Sequence, residues 1–174
     1  MNHIGPILAA PGELSLMYAE RLLTGVSAKQ FARLAQPGGV VVRSNHAAFV
    51  LGHLALYPPR IVANLNRPAG NAAYPAGYEA LFRAGTECRD DPDGTIYPSM
   101  DELTSRFFDG YRTAIRAVRE APDDVFLAPN PAEGRMRELF PTIGAALNFY
   151  LSGHVQNHLG QISAWRRAMG MPAA

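Results

Sequence analysis

The chain has 174 residues, of which 48% are hydrophobic, so it is long enough for one packed core and short for two. We therefore expect residues 1–174 to form a single domain. The formal net charge is +1, which excludes a disordered acidic tail and a strongly basic nucleic-acid binder. The single cysteine, Cys88, cannot form an internal disulfide, so nothing in the composition indicates an oxidising compartment.

No targeting or membrane-spanning segment is predicted. The first residues, MNHIGPILAAPGE, lack the basic stretch and the long apolar run of a signal peptide. No window approaches the ~20 consecutive apolar residues that span a bilayer. We expect a cytoplasmic protein that has neither a membrane nor a nucleic acid as its partner.

Stretches without proline mark where helices can form, because proline is excluded from helix interiors. Four long stretches qualify, and each has the apolar spacing of an amphipathic helix. They cover residues 12–36, 38–57, 99–121 and 142–171. In the first stretch, one apolar stripe comprises Leu14, Met17, Tyr18, Leu22 and Val26.

Local signals predict where these helices begin and end. Pro11 is well placed for the opening turn of the first helix. The second helix should end or bend near Pro58, because two successive prolines follow Tyr57. Ser99 and Glu102 have the spacing of a capping box at the start of the third helix, and Gly170 is a stop signal for the fourth.

These helices predict an all-α fold. The only β-branched run is VVVR at residues 40–43, so the pattern contains almost no strand signal. Four amphipathic helices of roughly 20 residues are typical of a four-helix bundle. The proline-rich segment 58–98 permits a crossover between helices two and three. That segment should either form a short helix near residues 78–83 or pack as a structured connection.

The histidines are the most informative residues for function. His154 and His158 are four positions apart in a helical pattern, which places their side chains on one face with Cβ atoms about 5–6 Å apart. His53 lies on the apolar face of the second helix. Three imidazoles that converge would form a divalent-metal site with open positions, suited to zinc, nickel or ferrous iron rather than magnesium or calcium.

The spacing alone also fits three hydrogen-bonded core histidines, and both interpretations stay open. His46 lies seven residues before His53, about 10.5 Å along a straight helix, so the two cannot share one ion. His46 would line the mouth of the pocket or lie near the start of helix two, with Ser44 or Asn45 as the cap. Gln161 and Tyr150 are either supporting groups that orient a ligand or simple packing residues. No catalytic residue is assigned.

Two segments resemble one protein family. Residues 153–170, GHVQNHLGQISAWRRAMG, are similar to the H-x-x-x-H-x-G-Q…R…G segment of the DinB/YfiT-like superfamily. Residues 45–57, NHAAFVLGHLALY, are similar to its second-helix segment, in which a G-H-L histidine supplies the first ligand. Many members carry a tryptophan a turn or two before that ligand, where this chain has Asn45 and His46.

The resemblance implies a four-helix bundle of up-down-down-up topology with a long crossover between helices two and three. It also implies His53, His154 and His158 as ligands of one divalent ion, usually zinc or nickel. Characterised members include transferases and isomerases that use a low-molecular-weight thiol cosubstrate. Members frequently form homodimers, and apolar residues on more than one side of the helices, Phe31 and Phe108, agree with a dimer.

Three hypotheses about function follow. The first is a metal-dependent transferase or hydrolase, in which the ion activates a thiol or a water to act on a small-molecule substrate. The second is a non-catalytic stress protein that binds a metal or a small molecule. The third is a plain dimerisation bundle with hydrogen-bonded core histidines.

Overall fold

The structure, a computed structural model, describes residues 2–174, and the regular secondary structure of these residues is helical. The α-helices in chain order are α1 (Ile4–Leu23), α2 (Ala28–Phe31), α3 (Ala47–Leu54), α4 (Pro58–Asn64), α5 (Tyr78–Phe82), α6 (Met100–Glu120), α7 (Asp123–Leu127), α8 (Arg135–Leu139), α9 (Ile143–Asn148) and α10 (His154–Ala168). No β-strand occurs within residues 2–174, where the only bridge is an isolated one between Pro129 and Thr142. The prediction of an all-α fold is confirmed.

Several predicted helix boundaries are confirmed. The Ser99 hydroxyl accepts a hydrogen bond from the Glu102 amide at 3.2 Å and so caps α6. Helix α3 ends at Leu54, and α4 begins at Pro58. Proline is tolerated there because the N–H groups of a helix's first turn have no partner within the helix. The short helix expected near residues 78–83 is α5.

Helix α1 differs from its prediction at both ends. It begins at Ile4 and contains Pro11 in its interior rather than in its opening turn. It ends at Leu23, and the chain then turns through Gly25, whose φ of +76° disfavours other residues. The predicted continuation to residue 36 is therefore wrong, because this turn separates α1 from the short helix α2.

The predicted apolar stripe of α1 is confirmed at Leu22 and at Val26, which follows the helix, and is wrong at its first two positions. Leu14 and Met17 are 58% and 56% exposed. The buried face instead carries small residues such as Gly5 and Gly12 together with larger aliphatic ones. A Cβ atom at Gly5 would overlap the Val118 carbonyl oxygen, so glycine there permits α1 and α6 to approach closely.

A π-helical segment, Phe149–Gly153, joins α9 to α10. The His154 amide donates to the Phe149 carbonyl, five residues back rather than four. The Ser152 hydroxyl donates to the Asn148 carbonyl at 2.5 Å and so competes for an acceptor of the helix. The fourth predicted helix is thus confirmed over residues 143–168, with one wider turn inside it.

Packing between the long helices places the site. Helix α1 packs against α6 and α10, and α3 packs against the same two helices. One contiguous cluster of buried apolar side chains extends from Leu8 in α1 to Trp165 in α10. Within residues 2–174, none of the helices has both the length and the apolar character needed to cross a lipid bilayer.

Candidate metal centre

Three histidine side chains meet where α3 packs against α10. His53 comes from the last turn of α3, and His154 and His158 come from the first two turns of α10. Each offers one ring nitrogen, and these nitrogens all lie within 4.8 Å of one another. The three residues predicted from the sequence therefore lie close enough together to bind one metal ion.

The distance between two of the ring nitrogens fits a shared ion. The Nε2 atoms of His53 and His154 are 3.4 Å apart. Two nitrogens that each lie about 2.0–2.1 Å from a tetrahedral ion are about 3.3–3.4 Å apart. Two unprotonated nitrogens at this distance repel each other, and either a neutral N–H···N hydrogen bond or a cation bound by both lone pairs relieves that repulsion. The spacing therefore fits a hydrogen-bonded pair in the metal-free protein and a shared ion in the metal-bound one.

Two of the three rings are held in the form that binds metals. The Nδ1–H of His53 donates to the Phe82 carbonyl at 2.7 Å, and the Nδ1–H of His158 donates to the Gln161 side-chain oxygen at 3.0 Å. Because both partners only accept, the proton is on Nδ1 and the lone pair is on Nε2. Asn45 donates to the same Gln161 oxygen at 3.0 Å and fixes it in place. Such partners orient metal-binding histidines and set their tautomer.

His154 differs from the other two. Its Nδ1 is buried and has no hydrogen-bond partner among residues 2–174. Its orientation comes from aromatic packing instead: the Tyr57 ring centre lies 4.2 Å away and the Phe149 ring centre 5.5 Å away. The Tyr150 ring also packs edge-on against His154, at 6.2 Å. Tyr150 thus contributes packing, which is the simpler of its two predicted roles.

Burial keeps all three imidazoles neutral at physiological pH. Desolvation lowers the pKa of His53 and of His158 below the ordinary 6.5. It lowers the pKa of His154 to about 3, with further contributions from the two neighbouring histidines and from Arg60. Because only a neutral imidazole can donate a lone pair to a cation, this environment favours metal binding.

The three histidines form one wall of a cleft of about 310 Å³. Its other walls come from α3 and from the turn that follows α5. The lining residues are Asn45, Phe49, His53, Tyr57, Arg83, Ala84, Gly85, Thr86, His154 and His158. A volume near 300 Å³ is at the lower end for a small-molecule site, so the cleft suits a compact ligand.

His46 lies outside the cluster, as its spacing predicts. It is fully buried, and its Nδ1 accepts the Phe49 amide at 3.2 Å, so His46 itself caps α3. Its Nε2 donates to the Arg89 carbonyl at 2.9 Å and ties the segment before α6 to the start of α3. The expectation that Ser44 or Asn45 provides the cap is wrong, because the imidazole supplies the acceptor and Asn45 instead reaches Gln161.

Sequence reasoning missed three contributors to the site. Phe82 acts through its main-chain carbonyl, for which no side-chain pattern exists. Asn45 acts through its hydrogen bond to Gln161, which is 116 positions away in the sequence. The two residues meet only because α3 packs against α10. Tyr57 could have been found, because it lies four residues after His53 in the predicted second helix; α3 itself ends at Leu54, and the two rings still lie 5.2 Å apart.

No family model, no curated protein and no solved structure matches this chain. The geometry of the three histidines therefore rests on the chain's own structure, and its membership of the DinB/YfiT-like superfamily stays a prediction.

Proposed function

We propose that this protein is a metal-dependent enzyme of the DinB/YfiT-like type, which binds one divalent ion through His53, His154 and His158. The observation that carries the proposal is the convergence of three neutral imidazoles, two of them oriented by hydrogen bonds at Nδ1. A divalent ion held this way lowers the pKa of a coordinated water or thiol, which makes it a nucleophile at neutral pH for transfer to, or hydrolysis of, a small molecule.

The donor set favours zinc or nickel. It consists of nitrogen atoms, and no carboxylate lines the cleft in the part of the chain that the structure describes. The 3.4 Å separation between the two Nε2 atoms is close to the tetrahedral value, whereas ligands at right angles would be about 2.9–3.0 Å apart at the same bond length. This spacing favours zinc, which prefers four ligands and would leave one position for substrate.

Other residues of the chain orient the imidazoles or exclude water from the site. The Phe82 carbonyl and the Gln161 side chain hold two of the imidazoles with their lone pairs towards the cluster. The rings of Tyr57 and Phe149 pack against His154 and exclude water from that side. Exclusion of water strengthens the electrostatic interactions within the site.

We also propose the four-helix-bundle topology that the resemblance implies, up-down-down-up with the long crossover between α4 and α6. Its support is the packing of α1 and α3, each of which contacts both α6 and α10. A ring of four helices in which each contacts two others is the arrangement of a bundle. An experimental structure in which α1 and α3 do not share these two neighbours would contradict it.

Metal content tests the proposed site. The untagged protein, purified without chelators and dialysed against zinc, should hold about one ion per chain by elemental analysis. His158→Ala should lose the ion, because two imidazoles on different helices retain a divalent metal poorly. His46→Asn is the matched control: asparagine can still cap α3, and the three ligands are untouched. Retention in His158→Ala with loss in His46→Asn would overturn the assignment.

Turnover distinguishes the enzyme from the two alternatives. The zinc-loaded and nickel-loaded proteins should convert at least one member of a panel that pairs small thiols, or water, with electrophiles and activated esters. A loaded protein without turnover on the panel would favour the stress protein that only binds, and a protein without metal would favour the dimerisation bundle.

We propose a homodimer in which the outer face of α1 is the contact. Phe31 and Phe108 do not support it as expected, because both are buried within the chain itself. The support comes from Ile7, Leu14 and Met17, which are 70%, 58% and 56% exposed on the side of α1 that turns away from the core. An apolar helix face of this kind is typical of an interface.

Both acidic residues of α1 form ion pairs within the chain, Glu13 with Arg119 and Glu20 with Arg112, so their charges are balanced beside the apolar face. If this face is the dimer contact, light scattering at high micromolar concentration should give the mass of a dimer. Leu14→Glu, which places a charge in the contact, should give the mass of a monomer. A monomeric wild-type protein would overturn this proposal.

A further inference from the structure

Arg83 is the only residue with a charged side chain among the residues 2–174 that line the cleft. It directly follows Phe82, whose carbonyl orients His53. Arg83 thus places a permanent positive charge on the wall that also supports a proposed metal ligand, whereas Arg60, whose charge also reaches His53 and His154, is paired with Glu79 at 3.5 Å.

The backbone of Arg83 is fixed while its side chain is free. Its amide donates to the Glu79 carbonyl at 3.0 Å, and its carbonyl accepts from the Thr86 amide at 3.1 Å. The second bond closes a tight turn in which Gly85 has a φ of +86°, a conformation that glycine adopts without strain. The turn fixes the backbone of Arg83 beside the cleft, and the residue is exposed to solvent.

The nearby carboxylates are paired with other arginines. Glu79 lies 3.5 Å from Arg60, and Glu87 lies 3.7 Å from Arg43. Among the ion pairs within residues 2–174, none includes Arg83. The charge of Arg83 is therefore available to a ligand.

We propose that the cleft selects a small molecule that carries an anionic group, such as a carboxylate, and that Arg83 is the residue that binds this group. The inference rests on the proposed function, since the opposite end of the same molecule would reach the three histidines. The guanidinium group presents paired N–H donors that match the two oxygens of a carboxylate. A neutral hydroxyl can accept only a weaker single bond from it, and a cation is repelled by it. The small volume of the cleft limits the ligand to a few carbon atoms between its two ends.

Three thiols of similar length and different charge test the selectivity. The cobalt-loaded protein is titrated with 3-mercaptopropionate, 3-mercaptopropan-1-ol and cysteamine, and binding is followed by the thiolate-to-cobalt absorption band. A charge pair at an exposed site is worth up to about 1 kcal/mol, or about fivefold in affinity. Wild-type protein should therefore bind 3-mercaptopropionate about fivefold more tightly than 3-mercaptopropan-1-ol, and cysteamine most weakly.

Two variants test whether Arg83 causes the preference for the anionic thiol. Arg83→Gln should reduce the preference to within about twofold, whereas Arg43→Gln, which removes an arginine already paired with Glu87, should keep it. In the wild-type protein, raising sodium chloride from 0.05 to 0.5 M should also reduce the preference, because salt screens an exposed charge. The salt titration uses only the wild-type protein, so its result does not depend on whether a variant folds.

Equal affinity for the three thiols, or no binding of any of them to the cobalt-loaded protein, would overturn the proposal. A preference that persists in folded Arg83→Gln would overturn the role of Arg83. Failure of the proposed metal site is seen separately, because the visible absorption bands of bound cobalt would be missing before any thiol is added.

Discussion

Replacement of Gly52 by alanine tests how the packing of α3 supports the site. Gly52 lies inside α3, where a Cβ atom would overlap the ring of Phe82. That ring is fully buried and stacks on Tyr97 with 5.7 Å between ring centres, so it cannot move aside freely. The neighbouring residue, His53, depends on the carbonyl of the same phenylalanine. One added methyl group therefore perturbs both the core and the hydrogen bond that orients His53.

The expected magnitude follows from two opposing effects. In a helix interior with free space, Gly→Ala raises the free energy of unfolding by about 0.5–1 kcal/mol. Overpacking of a tight core lowers it by about 1–3 kcal/mol. We expect Gly52→Ala to be less stable than wild type by up to about 2.5 kcal/mol, and by about 1 kcal/mol at the middle of the two ranges, since the helix gain offsets part of the overpacking cost. Gly160→Ala, in the interior of α10 with nothing near the added methyl, should be more stable by about 0.5–1 kcal/mol.

Urea unfolding of the metal-free protein measures both changes. The only tryptophan, Trp165, is 3% exposed and donates to the Arg33 carbonyl at 2.8 Å, so its fluorescence reports loss of the packed state. The two variants should shift the unfolding midpoint in opposite directions. Zinc affinity of Gly52→Ala should also fall about tenfold, because the partner of His53 is displaced. A midpoint for Gly52→Ala that rises with that of Gly160→Ala would refute this reasoning.

Three further predictions concern the site and the helices. Gln161→Leu should weaken zinc binding about 10- to 100-fold in a chelator competition, since His158 loses its partner; an unchanged affinity would contradict the orienting role. The metal-free protein should lose stability as the pH falls from about 6.5 towards 3, because the pKa of His154 is about 3 in the folded state and near 6.5 when unfolded, so the unfolded chain takes up the proton first. Equal urea midpoints at pH 7.5 and 5.0 would argue against that burial. Ser99→Ala should lower the free energy of unfolding by about 1 kcal/mol, whereas the exposed mid-helix change Ser105→Ala should not; similar effects of the two would show that the cap of α6 contributes little.

The helices were predictable where local chemistry decides them. Ser99 caps α6, and the two prolines after Tyr57 end one helix and begin the next, because caps and prolines act over a few residues. The face of α1 was not predictable in this way. Apolar residues surround that helix, so periodicity selected Leu14 and Met17, whereas the close approach to α6 requires the side that carries Gly5 and Gly12.

The same distinction between local and long-range effects applies to the candidate site. The helical spacing of His154 and His158, and the apolar face that carries His53, placed three side chains together correctly. The groups that orient those side chains depend on which helices pack together. The acceptor for His53 is a main-chain atom of Phe82, and any residue at that position would supply it. Side-chain identity therefore reveals the three histidines but not the carbonyl that orients one of them.

The wide turn at residues 149–153 affects how this chain should be compared with others. One additional residue in a helical turn rotates everything before it by about 100° relative to everything after it. The apolar residues of α9 and the histidines of α10 consequently belong to two different helical periods. An alignment with a protein whose corresponding helix is uninterrupted needs a one-residue gap within this turn. Without the gap, either Leu147 is matched to a surface position or His154 is matched to a residue that faces away from the site.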